Sequence, residues 1–269
     1  MIRPVAVVLA AAAGLALASS AAGPTFALRE PEAPPVHPPV LARAAEVLPL
    51  AGVRIGLDPG HQLGNSRFPA QIERLVPAGG FFKQCNTTGT ATNSGYPEAS
   101  LNFAIVRSVQ VRLERLGAKV FLTRTSNSRY LWGPCVDDRG RFGAKVGADL
   151  VVSIHGDGAP ASGRGFHVIE PAVRAPWTTD IAAASRRLAL ALRIGFDGEG
   201  LPRSNYVNHG LGLDTRWDLA TLNLSDVPVA MVEVGNMRNA SDARRMTSVA
   251  GRIRYAEAVV AGIRRYLDR

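Results

Sequence analysis

The chain has 269 residues, a formal charge of +9 and only two cysteines, with 46% hydrophobic and 20% charged side chains. That length suits one sizeable core and excludes a string of modules, and no internal repeat is present. The basic balance suits anionic polymers or a membrane surface outside the cell, and nucleic acid only inside it.

The first segment, MIRPVAVVLAAAAGLALASSAAGPTFA, has one basic residue, Arg3, then an apolar stretch, then small residues at the spacing a signal peptidase accepts. It is expected to be a secretory leader over 1–27, cut near Ala22 or after Ala27. The alternative is an uncleaved anchor, but Val5 to Ala18 is shorter than the roughly 20 residues a bilayer span needs. No later run is apolar for long enough to span a membrane. Export removes nucleic acid as a natural partner. Residues 28–50 are rich in proline and small residues and read as a linker, in which His37 is a solvated side chain. The remainder, 51–269, is expected to be one catalytic domain.

Short apolar or β-branched runs at Val53–Leu57, Lys119–Thr123, Leu150–Ile154, Gly165–Ile169 and Val229–Val234 predict strands. Helical periodicity lies between several of them. In Ser100–Leu116 it puts Leu101, Ala104, Ile105, Val109, Leu113 and Leu116 on one face, with Gly117 as the stop. Asp137–Val146, Asp180–Arg193 and Ser241–Tyr266 show the same period. Strand and helix in alternation predict an α/β fold, a single domain whose mostly parallel sheet has helices on both faces. Cys85 and Cys135, an isolated pair in an exported chain, are expected to form a disulfide.

Sites in such sheets lie beyond the carboxyl ends of the strands. His61 follows the first strand, His155 ends the third and Glu233 ends the last. Two imidazoles and a carboxylate, with a position left open, form a donor set for catalytic zinc. Glu98, at the start of the first long helix, is the expected third ligand, although a carboxylate in a first helical turn is also an ordinary helix-start residue. His209 is the substitute should Glu98 serve only the helix. His167 alternates with apolar neighbours and reads as structural or substrate-facing. Taken singly, His61 and His155 also admit the plain reading of satisfied buried histidines, and Glu233 that of an arginine-paired charge.

Taken together, Leu57-Asp-Pro-Gly-His61, Glu98, Leu116-Gly-Ala-Lys-Val-Phe-Leu-Thr-Arg124, Ala148-Asp-Leu-Val-Val-Ser-Ile-His155, Pro228-Val-Ala-Met-Val-Glu-Val-Gly235 and Asn239 resemble the zinc-dependent N-acetylmuramoyl-L-alanine amidases. The resemblance covers nearly all of 53–267. It implies one zinc per chain on His61, Glu98 and His155, with Glu233 as the catalytic acid or base. It implies cleavage of the amide bond between N-acetylmuramic acid and L-alanine in peptidoglycan or its muropeptide fragments; with the leader, the protein is expected to be secreted or periplasmic, at the cell wall, and a monomer. Glu233 would take a proton from water and pass it to the departing amine. Arg124 and Arg139 match family positions expected to form structural ion pairs, and Asp58 is a candidate to orient His61. Two departures stand out. Asn236 replaces a phenylalanine common among relatives, and the insertion 62–97, tethered through Cys85, is expected over or beside the metal. With no wall-binding repeats, substrate binding falls to the catalytic domain. The rival enzyme is a zinc peptidase acting on the wall or on an exported peptide, and the rival outside enzymes is a binding or regulatory protein.

Overall fold

The computed structural model describes residues 47–268, together with Gly23. The expected leader and most of the expected linker lie outside the described residues. The elements, in chain order, are β1 (Arg54–Pro59), α1 (Pro69–Glu73), β2 (Leu75–Pro77), β3 (Phe82–Gln84), α2 (Glu98–Arg115), β4 (Lys119–Leu122), α3 (Val136–Val146), β5 (Leu150–Asp157), β6 (His167–Pro171), α4 (Ala182–Gly198), β7 (Leu213–Arg216), α5 (Ala220–Asn223), β8 (Val229–Asn236), α6 (Ala240–Thr247) and α7 (Val249–Tyr266).

The six-stranded sheet has the order β4-β1-β5-β8-β6-β7. Strands β4, β1, β5 and β8 run parallel, whereas β6 pairs antiparallel with β8 and parallel with β7. The sheet is thus mostly parallel, with a reversed pair at one edge. Side chains alternate across it. Val152, Ile154, Val168, Ala230 and Val232 join the main core with α2, α4 and α7, while Val151, Ile169, Val229 and Met231 form a second core on the opposite face. Helices α3 and α5 cover that second face.

The helical stripe expected for α2 is the buried one: Leu101, Ile105, Val109 and Leu113 are inaccessible. The long C-terminal helix expected from Ser241 to Tyr266 divides at Ser248, whose hydroxyl accepts from the Gly251 N–H at 3.0 Å and caps α7. Strand β7 is not legible as a strand, because its sequence Leu-Asp-Thr-Arg has no apolar run and sits at a sheet edge where only Leu213 is buried. Among the described residues no helix is long and apolar enough to cross a membrane.

The insertion is folded. Its β2–β3 hairpin packs on α3, with Val76, Cys85 and Cys135 in one apolar cluster and Ala78, Ala220 and Leu224 in another. The disulfide between Cys85 and Cys135, 50 residues apart, ties the hairpin to the start of α3. Replacing both cysteines with serine should lower stability by about 4 kcal/mol in the chain-entropy model. Urea denaturation of the double variant against the oxidised parent measures this, and an unchanged midpoint would refute it.

Candidate metal centre and catalytic cleft

Parallel strands β1 and β5 are neighbours, and their carboxyl ends bring two imidazoles together: His61 two residues beyond the end of β1, and His155 within β5, two residues before its end. His61 turns back through a left-handed backbone, φ 57°, immediately after Gly60. Gly60 lies against the His155 ring, where a Cβ would come within 2.2 Å of Cε1, so no larger residue fits between the two histidines. The rings stand edge to face at 4.9 Å. Between them, the first residue of α2 brings in Glu98: its Oε1 lies 3.2 Å from His61 Nε2 and 2.9 Å from His155 Nδ1. The three donor atoms lie within 4.8 Å of one another. His209, the alternative donor, stands exposed on a 3-10 turn outside this cluster.

His61 and Glu98 are each oriented by partners behind them. His61 Nδ1 faces the Thr87 carbonyl at 3.1 Å, which leaves Nε2 free to donate its lone pair towards the cluster. Glu98 Oε2 accepts from the Thr90 N–H at 2.9 Å, and Oε1 accepts from Asn102 Nδ2 at 3.2 Å and the Gly156 N–H at 3.3 Å. Burial pushes the Glu98 carboxyl up, but the two imidazoles outweigh it and hold the group well below the usual range. Burial works against charge on His61, and the adjacent Glu98 carboxylate overcomes that and raises it. A buried, ionised carboxylate facing two imidazoles fits a divalent cation with nitrogen and oxygen preference.

Asp58 does not orient His61; the insertion's Thr87 carbonyl does. Asp58 is fully buried, accepts from Thr123 Oγ1 at 2.5 Å and Ser153 Oγ at 2.6 Å, and pairs with Arg139. Arg139 in turn donates to the carbonyls of Pro59 and His61, both at 2.9 Å, and of Gly133 at 3.2 Å. Arg124 makes no ion pair among the described residues. It donates to the carbonyls of Pro59, Gly60 and Ala99 and lies over the Phe103 ring. Arg139 therefore meets its structural expectation, while Arg124 secures the same turn through backbone carbonyls, with further bonds to the Ser126 carbonyl and the Asn127 side-chain oxygen.

Glu233 of β8 is the register partner of His155 on one side and His167 on the other, so all three side chains stand on one face. Its Oε2 is buried with no hydrogen-bond partner among the described residues. Burial, then repulsion from Glu98 and Asp157, hold this carboxyl well above the usual range, with Arg216 opposing. His167 is buried outside the donor cluster, its ring edge-on to Tyr206 at 6.1 Å. Tyr206 donates to Asp157 Oδ2 at 2.9 Å. A cavity of about 420 Å³ opens onto His61, His155 and Glu233, walled by Lys83, Asn86 and Thr87 of the insertion and by Leu219–Thr221. The insertion lies beside the cluster and supplies one wall. Thr87 and Thr90 had no signal in the sequence, whereas Asn102, one helical turn from Glu98, was legible from its spacing.

Two histidines and a carboxylate at the carboxyl edge of a mostly parallel sheet, with a further acid beside them, are an arrangement that fits a metallohydrolase. A family model described as N-acetylmuramoyl-L-alanine amidase matches residues 55–265, and the chain belongs to that family. It is 38% identical over 231 residues to N-acetylmuramoyl-L-alanine amidase Rv3717 of Mycobacterium tuberculosis, covering 86% of this chain and 92% of the relative. Among solved structures it resembles the amidase Ami1 of Mycobacterium smegmatis, with TM-score 0.76, 38% identity and coverage of 81% of this chain and 98% of that one. The apo form of Ami1 from Mycobacterium abscessus gives TM-score 0.75 at 41% identity, covering 81% and 100%.

Arg139→Leu should cost roughly 3–5 kcal/mol at pH 7, since it leaves the Asp58 carboxylate buried without its counter-charge. Burial raises Asp58, but Arg139 and the two hydroxyls outweigh it and set its folded value below the usual one. Its contribution is therefore complete above the unfolded value of about 4 and fades as pH falls through the folded value. Urea titrations from neutral to acid pH should show the deficit of the variant shrinking as Asp58 protonates.

Proposed function

We propose that this chain is an exported, zinc-dependent peptidoglycan hydrolase that cleaves the amide bond between N-acetylmuramic acid and the L-alanine of the stem peptide. The observation that carries the reading is the convergence of His61, Glu98, His155 and Glu233 on a single cleft. Family membership supports the bond cleaved, as does the activity in the name of the Mycobacterium tuberculosis relative. The apolar leader and the disulfide support export, because a lasting disulfide belongs to an oxidising compartment. A monomer acting in or beside the cell wall suits this reading.

His61 Nε2, Glu98 Oε1 and His155 Nδ1 would hold the zinc, one per chain. When bound, the metal supplies Lewis acidity that polarises a carbonyl and acidifies water. The chain's own residues do the rest. The Thr87 carbonyl fixes the His61 tautomer, and Asn102 with the Thr90 and Gly156 amides fixes the carboxylate, so the donors are preorganised. The hairpin and Leu219–Thr221 wall the cleft and limit water around the scissile bond. Glu233 takes a proton from water as it attacks the carbonyl, then delivers it to the L-alanine nitrogen as the amide bond breaks.

Mass spectrometry of purified peptidoglycan fragments incubated with the protein tests the assignment. Free stem peptides beginning at L-alanine should appear, should cease with a chelator and should return with zinc. Glu233→Gln should retain zinc by elemental analysis yet lose about 10²–10⁴-fold in rate. His155→Ala should lose the metal. New termini only at peptide bonds would assign the chain to the zinc peptidases instead, and bound zinc with no cleavage would refute the hydrolase reading.

A further inference from the structure

The cleft wall continues outward into an aromatic shelf. Trp217, just after β7, is 58% exposed, a large apolar surface for a single side chain to leave in water. It is not a loose side chain. The half-buried Phe81 ring meets it at 5.8 Å and 66°, and the Arg174 guanidinium lies over both rings, 5.9 Å from Trp217 and 5.7 Å from Phe81. Arg174 also donates to the Gly79 carbonyl at 2.9 Å, and the buried Asn223 amide donates to the carbonyls of Ala78 at 2.9 Å and Trp217 at 2.7 Å. The hairpin turn and the segment after β7 are thereby locked to each other.

The turn is shaped for this contact. Gly79 and Gly80 have φ of 84° and 86°, and a Cβ on Gly79 would come within 2.7 Å of the Asn223 Cβ. The shelf is also continuous with the reaction cleft. Lys83, two residues beyond Phe81, and Leu219, two beyond Trp217, line the same cavity as His155 and Glu233, and Lys83 Nζ bridges to the Asp218 carbonyl at 2.8 Å.

A largely exposed indole backed by Arg174 and Phe81 presents apolar aromatic surface at little cost in side-chain entropy. It matches a pyranose ring, whose axial C–H groups form a flat, weakly positive apolar face with hydroxyls around its edge. Arg216 and Asp218, joined by two hydrogen bonds of 2.7 Å, stand next to Trp217 as partners for those hydroxyls. The stem peptide, which carries carboxylates, is a poorer match. Lys83 and Arg216 are each paired with Asp218, and Arg174 is spent on rings and carbonyls, so among the described residues the shelf offers no unengaged cation.

We propose that Trp217, backed by Phe81 and Arg174, is a subsite for a sugar ring of the glycan strand, placed along the cleft from the scissile amide. The inference rests on the amidase reading of the cleft. It makes Trp217 a positioning residue that holds the glycan while the amide is cut.

The test is an NMR titration of the full chain with a tetrasaccharide of β-1,4-linked N-acetylglucosamine, and separately with a free stem peptide, alongside kinetics of stem-peptide release from polymeric peptidoglycan. Trp217→Ala should weaken the tetrasaccharide about tenfold, leave stem-peptide binding alone and raise KM rather than lower kcat. Trp217→Tyr, which keeps an aromatic face, should restore most of the affinity, and matching thermal melts establish that both variants are folded. Tetrasaccharide affinity and KM unchanged in Trp217→Ala, or a loss confined to the stem peptide, would overturn the subsite. If sugar binding depends on Trp217 while the parent releases no stem peptides, the amidase reading fails and the sugar site stands. Stem-peptide release that is indifferent to Trp217 gives the converse.

Discussion

The Asp58 carboxylate and the Arg139 guanidinium meet with almost no access to water, and the geometry of the cleft hangs from their contact. Asp58 belongs to the end of β1, Arg139 to the first turns of α3, and the guanidinium also gathers the carbonyls of Pro59, His61 and Gly133. Removing two charges from water is costly, so such a pair contributes less to net stability than its Coulomb attraction suggests. What it provides here is position. It fixes the path of the chain through Gly60 to His61, and therefore where the first imidazole stands relative to the second.

A second anchor acts from the other side. The insertion reaches back to the start of α3 through the disulfide, and its backbone supplies the Thr87 carbonyl and the Thr90 amide that orient His61 and Glu98. The same hairpin turn carries Phe81 to the aromatic shelf. One folded segment thus serves the donor cluster, the cleft wall and the outer rim, which is why it is ordered by its own apolar contacts with α3 and α5.

Charge in the cleft is arranged in opposition. Glu98 faces two imidazoles and is stabilised as a carboxylate, while Glu233, one strand away, meets Glu98 and Asp157 and is not. Two carboxylates of identical chemistry thereby acquire different proton affinities from their surroundings. Asp157 is itself held by the Tyr206 hydroxyl, so the repulsion on Glu233 comes from a fixed direction.

Much of this was legible before folding. Apolar runs located β1, β5, β6 and β8, because strands buried on both faces read as near-continuous apolar sequence, and the same kind of run located the edge strand β4; helical period located the buried face of α2. The placement of His61, His155 and Glu233 towards the carboxyl ends of strands followed from the same pattern, although β5 and β8 run on for two and three residues past His155 and Glu233. The short edge strand β7 and the β2–β3 hairpin did not, since their pairing depends on neighbours far away in the chain and their residues are half wet. What the chain of residues determined by itself is the sheet, the helices that cover it and the side chains available at its carboxyl edge. Only the tertiary structure decided that Thr87 rather than Asp58 orients His61, that Arg124 binds carbonyls instead of a carboxylate, and that Trp217 and Phe81 meet across 136 positions of sequence. Those contacts join segments whose separation leaves no periodic trace, so nothing short of folding brings them together.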